Sequence, residues 1–333
     1  MRIFSTLRGA LSLLSLAAML HAPAHAAPGR LQMHRDGSPE CNPPASATSW
    51  KLADENDFFL QTPPNSFTGL FRSQGLATDG RKWFFSWQYG LEIANNHFVS
   101  ELRNSSFTPP ATIVPGIPAN LLAQGLDHIG DIDYHDGIIY ASLDSTAGYT
   151  KPHVALYRAT DLTYTGVSYE LTGAASNPKK DIASWVAVDA WHNRGYGKEW
   201  QSGNTINVYN LNDWSFAGTV TLDMSLERIQ GGKVHGEYLY MSSDNSTRSV
   251  YRANLRTGHV VELFQLPQPT GNLEVEGIAV RDAQDGRGEE RGDDGDPDIY
   301  VEMVVDPDKV GDDFTNTHLH VALYHYRPVQ GRR

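Results

Sequence analysis

Residues 129–140 run Ile129-Gly130-Asp131-Ile132-Asp133-Tyr134-His135-Asp136-Gly137-Ile138-Ile139-Tyr140. This is a glycine-opened strand, a tight Asp-Gly turn and a second strand. The unit recurs as Gln74-Gly75-Leu76-Ala77-Thr78 with a turn at Asp79-Gly80, and as Ser184-Trp185-Val186-Ala187-Val188 with a turn at His192 to Gly195. It returns as Gln230-Gly231-Gly232-Lys233-Val234 with His235-Gly236, and as Glu276-Gly277-Ile278-Ala279-Val280 with Asp285-Gly286. The first positions are spaced 55, 55, 46 and 46 residues apart. In four units a third strand ends in tyrosine, at Tyr157, Tyr209, Tyr251 and Tyr324.

About four short strands recurring at this period predict an all-β chain folded as a β-propeller of five blades. Glycine early in the innermost strand suits a place where backbones crowd together at an axis. Few residues follow Tyr326, so Trp50 to Leu60 is expected to supply the outer strand of the last blade and close the ring. A sixth, degenerate blade between residues 42 and 70 is the alternative count. A two-sheet sandwich would also alternate, but it leaves the near-regular motif without a cause.

The chain has 333 residues, 40% apolar and 20% charged, with 30 Gly and 18 Pro. That composition argues against wholesale disorder, a fibrous repeat or a multi-span membrane protein. Arg2 and Arg8 precede an apolar run from Ala10 to Leu20, and Ala24-His25-Ala26 supplies small residues for cleavage before Ala27. Residues 1–26 therefore read as a secretory signal, 27–47 as a flexible segment and 48–333 as one propeller domain. A secreted or periplasmic monomer is expected, without a membrane span. Loss of Arg2 and Arg8 leaves 25 basic against 39 acidic groups, a net −14 that disfavours nucleic acid as a partner. Cys41 is the only cysteine, which excludes an intramolecular disulfide.

The architecture resembles secreted propellers of the size of olfactomedin domains, plant-type glutaminyl cyclases and strictosidine-synthase-like or lactonase propellers. Gln74-Gly75-Leu76 followed by Gly90-Leu91 is similar to the first blade of the glutaminyl cyclases. Glu92-Ile93-Ala94-Asn95 stands where that family has a Ser-rich continuation, and its activity is not carried over.

Propeller ligands usually bind at a mouth of the central tunnel, here the end where the inner strands begin. Aligning the motifs gives one column of Gln74, Ile129, Ser184, Gln230 and Glu276, and another of Arg72, Asp127, Ile182, Arg228 and Glu274, with His128 between. Strand alternation would put Arg72 and Gln74 on one side. On the functional reading, Arg72 and Arg228 grip an anion, assisted by Gln74 and Gln230. His128 is then a general acid or base, with Asp127 orienting it or Glu276 acting opposite. On the structural reading the same charges pair with one another and hold the blades in register. Ca²⁺ is the cofactor that Gln74, Asp131, Gln230 and Glu276 would suit.

Trp185 stands where the other motifs have glycine, with Trp191 and Trp200 in the same unit. Stacking on a sugar and plain blade packing compete as explanations. His318-Leu319-His320 places two imidazoles on one strand face, with no third zinc ligand apparent. The acidic run Arg281 to Asp298 reads as a solvated insertion, and His135 as a turn residue. No phosphate loop, dinucleotide fingerprint, nucleophile elbow or Cys-based metal site is present, so no organic cofactor is expected. The expected function is binding of a small anionic or carbohydrate ligand at the tunnel mouth, with hydrolase or lyase chemistry if the protein is an enzyme. A non-catalytic propeller that binds a protein or envelope partner is the alternative.

Overall fold

The computed structural model describes residues 49–59, 67–108, 112–173, 183–281, 296–308 and 318–329. Five four-stranded antiparallel sheets make five blades. Blade one holds β2 (Gly75–Thr78), β3 (Lys82–Trp87), β4 (Gly90–Asn95) and β5 (Ser100–Arg103). A hairpin of β6 (Ser106–Thr108) and β7 (Thr112–Val114) and the one-turn helix α1 (Ala119–Leu122) lead to blade two. That blade contains β8 (His128–His135), β9 (Ile138–Ser145), β10 (Thr150–Arg158) and β11 (Tyr164–Glu170). Blade three holds β12 (Ala187–Asp189), β13 (Arg194–Gly197), β14 (Gly203–Asn210) and β15 (Phe216–Leu226). Blade four holds β16 (Ile229–His235), β17 (Tyr238–Ser243), β18 (Ser249–Asn254) and β19 (Val260–Gln265).

Blade five closes the ring. β20 (Asn272–Arg281), β21 (Asp298–Asp306) and β22 (His320–Pro328) come from the end of the chain, and β1 (Trp50–Phe59) completes the sheet. β1 runs antiparallel to β22 from Trp50 opposite Pro328 to Phe59 opposite His320. The expected closing strand is thus in place, and the blade count is five. The first 48 residues, with the expected signal and Cys41, lie outside the described residues. No helix among the described residues is long and apolar enough to cross a membrane.

Strands β3, β9, β17 and β21 are buried on both faces, which is why alternate residues of one strand feed different cores. In β3, Trp83 and Phe85 pack with Tyr300 and Leu323 of blade five, whereas Phe84 between them packs with Ile132 and Tyr157 of blade two. Three further cores fill the remaining interfaces, centred on Tyr140 with Trp214, Trp185 with Met241, and Tyr240 with Met303. The tyrosines that end the third strands lie in these cores: Tyr157 and Tyr209 are fully buried and Tyr324 nearly so.

Crowding at the axis explains the motif glycines. A Cβ at Gly75 would collide with the backbone of Asp131 in β8, and one at Gly277 with the backbone of Gly75 itself. Trp185 keeps the same packing by other means, since its indole occupies the space over Gly232 of blade four.

Candidate functional site

The axis is closed midway. Asp131 of blade two is fully buried and Lys233 of blade four is 3% exposed, and their charged groups meet across the centre at 2.6 Å. Asp131 Oδ1 also accepts from the backbone N–H groups of Leu76 in blade one (3.0 Å) and of Ile132 (2.9 Å). The Gly232 N–H reaches Oδ2 at 3.3 Å. One carboxylate thus ties together three blades. Burial pushes the Asp131 carboxyl up to about 6 against the opposing charge of Lys233. This pair divides the axis into two ends.

At the end where the inner strands begin, a polar chain crosses three blades. His128 Nδ1 lies 2.9 Å from Asp144 Oδ1, and Nε2 lies 2.8 Å from Gln74 Oε1. The Gln74 amide donates to Ser73 O (2.8 Å) and, over a longer 3.4 Å, to Glu276 Oε1. Gln74, His128, Ser184, Gln230 and Glu276 each keep between 4 and 7% exposure, so they form a shallow polar ring. Ser184 Oγ has no partner among the described residues. Burial raises the Glu276 carboxyl well above its ordinary range, and the nearby carboxylates of Asp244, Glu302 and Asp131 raise it further. Tyr149 stands edge-on to the His128 ring at 6.1 Å, and the Arg228 guanidinium lies 4.9 Å over the Trp200 ring.

The two arginines do not converge. Arg72 is fully buried, bonded through Nε and Nη2 to Glu92 and through Nη2 to Phe98 O. Its guanidinium is sandwiched between Phe58 (4.4 Å) and Phe85 (4.5 Å), in the seam between the closing strand and blade one. The expected anion ligand at the mouth is therefore a seam residue. Arg228 pairs with Asp244, and its side chain is 41% exposed. An anion would have to compete with a carboxylate already in place on each arginine.

Three other expectations change in the same way. Asp127 does not orient His128: its carboxylate accepts from the backbone N–H (2.8 Å) and hydroxyl (2.8 Å) of Thr146, and Asp144 takes the orienting place. Trp185 is fully buried and out of reach of a ligand. The residues named for Ca²⁺ do not form a ligand shell, since Asp131 belongs to the central pair while Gln74 and Glu276 contact each other. Among the described residues no group of three or more His, Cys, Asp or Glu could hold a metal ion. His318 and His320 turn to different partners, Asp308 and the His318 carbonyl. The acidic insertion is anchored at its described end, where Asp296 pairs with Arg252 and Asp298 with His325, both at about 3 Å. Its residues 282–295 lie outside the described residues.

The opposite end, where the inner strands finish, opens into a cleft of about 450 Å³. Thr78, Asp133, His135, Lys233, His235 and Arg281 contribute its polar lining. His135, read from sequence as a turn residue, faces this cleft.

No protein-family model matches the chain, and no curated protein matches it. Among solved structures, a hydrazine synthase from Kuenenia stuttgartiensis is similar at 12% identity and a TM-score of 0.36, over 72% of this chain and 57% of that one. Apo AztD from Citrobacter koseri is similar at 12% identity and a TM-score of 0.32, over 59% of this chain and 47% of that one. The chain spans about half the length of these structures. Nothing about its chemistry follows from either.

Proposed function

We propose that this chain is an exported, ligand-binding propeller that takes a carbohydrate at the end of the axis where the inner strands begin. The observation that carries the reading is the chain Glu276–Gln74–His128–Asp144, drawn from three blades to one point. Carboxyl, amide, imidazole and hydroxyl groups in one ring match the alternating donors and acceptors of a polyol. Tyr149 supplies an aromatic ring beside them. Of the two ligand classes expected from sequence, the carbohydrate suits this end better, because Arg72 and Arg228 already hold carboxylates.

The closed axis and the paired charges at the ring favour binding over turnover. A second reading, hydrolase or lyase chemistry, rests on the His128–Asp144 pair. A carboxylate on Nδ1 fixes the imidazole, and Nε2 points into the ring, where it donates to Gln74 Oε1. A ligand that displaced the Gln74 amide would meet an N–H placed as a general acid. Export rests on the sequence of residues 1–26 alone.

A glycan array probed with labelled protein tests the binding reading, followed by calorimetry on any positive glycan. His128→Ala and Gln74→Ala should each weaken that glycan at least severalfold while the fold stays intact. An array without positives, or variants that bind like the wild type, would remove the reading. Turnover of the bound glycan by wild type, absent in His128→Ala, would favour the enzyme.

A further inference from the structure

The cleft at the other end of the axis shares no lining residue with the polar ring. Its walls come from all five inner strands and the turn that follows β2. Its acids are already engaged: Asp133 accepts from the N–H groups of Tyr134 (2.8 Å) and Val188 (2.7 Å), and Asp79 from those of Arg81 (2.8 Å) and Lys82 (2.6 Å). The donors have capacity left. Lys233 spends two of its three N–H groups, on Asp131 and on Gly232 O, at the floor of the cleft. Arg281 gives Nη2 to Gly80 O (2.8 Å) and also donates to the Tyr300 hydroxyl, two bonds against the five N–H donors that a guanidinium carries. His135 and His235, matched residues at the ends of β8 and β16, line the same space.

A ligand entering this cleft therefore meets two cationic side chains, Lys233 and Arg281, whose N–H groups are not all taken by the bonds to Asp131, Gly232, Gly80 and Tyr300. We propose that the cleft is a second binding site, independent of the carbohydrate reading, for a small organic anion bearing a carboxylate or phosphate group. Because Lys233 shares its charge with Asp131, Arg281 is the principal anchor, and its planar fork suits either group. A volume of about 450 Å³ is of metabolite size. The anion binds away from Glu276 and its neighbouring carboxylates, on the far side of the Asp131–Lys233 pair.

Inorganic phosphate and malonate are the probes, titrated calorimetrically at constant ionic strength set by chloride. Saturable binding of at least one is expected, and which one binds identifies the preferred group. Arg281→Gln should weaken it about tenfold or more, as for the loss of a charge-assisted contact, and His235→Gln should weaken it less. Both variants should unfold near the wild-type temperature without anion, which separates lost binding from lost fold. Failure of both probes to saturate, or wild-type affinity in Arg281→Gln, would overturn the site.

Discussion

The two ends of the axis are built from the same five strands and have opposite chemistry. Where the strands begin, acids and amides dominate: Glu276, Asp144, Asp244, Gln74 and Gln230 face a single imidazole and two arginines that both pair with Asp244. Where they finish, the carboxylates are tied to backbone amides, and Lys233, Arg281 and two histidines line the cleft. What separates them is one buried ion pair spanning the centre. A repeat therefore constrains backbone shape without constraining chemistry, and each blade is free to place a different group at either end.

The most damaging change to this arrangement is loss of the divider. Lys233→Met leaves Asp131 buried without its counter-charge, and should cost ~3–5 kcal/mol in denaturant unfolding. Arg72→Ala should cost nearly as much, because it leaves the fully buried Glu92 with Arg103 alone and removes two aromatic contacts. Arg228→Ala, the same column of the repeat, should cost about 1 kcal/mol or less. Its side chain is partly solvated, and Asp244 keeps both Arg248 and the Val275 N–H. Equal losses for the two arginines would erase the distinction drawn between seam and mouth.

An intermediate effect is expected from pH. Asp131, Glu276 and Glu302 are all raised by burial. Glu302 in β21 is fully buried, and neither of its oxygens has a hydrogen-bond partner among the described residues. A carboxyl raised on folding keeps its proton in the folded chain at a pH where the unfolded chain has released it. Its contribution is thus most favourable at low pH and is lost as pH rises through the folded value. For Asp131 that window runs from its ordinary 3.8 to about 6. Calorimetry should show Tm rising as pH is lowered from about 8 to about 5, the reverse of a chain stabilised by ionised carboxylates. Glu302→Gln should flatten that slope and leave the protein at least as stable at pH 8. The smallest effect belongs to Trp191→Ala: the side chain is 63% exposed, so unfolding should shift by under ~0.5 kcal/mol.

The blades were legible because strand, turn and terminal tyrosine recur together. The site was legible only in part, for a geometric reason. Reading columns assumes unbroken alternation along each inner strand. Arg72 instead ends a 3₁₀ turn, Leu70–Arg72, so it does not share the side that Gln74 faces. Arg228 sits just outside β16 with a left-handed φ of 51°. Asp144 was missed because of a bulge. Counting outward from His135 opposite Ile138 puts Ser145 against His128, but the register shifts between Ile129 and Ile132 and brings Asp144 there. Lys233 did leave a signal, as the one charged residue at a motif position otherwise held by Ala or Ile.

The division of the axis is tested most directly by imidazole resonances. His128 reports one end, and His135 and His235 the other. If the Asp131–Lys233 pair separates two independent sites, titrating phosphate or malonate moves the His135 and His235 signals along a saturable curve and leaves His128 in place. Movement of His128 together with the other two would show the ends to be coupled, and would contradict the account.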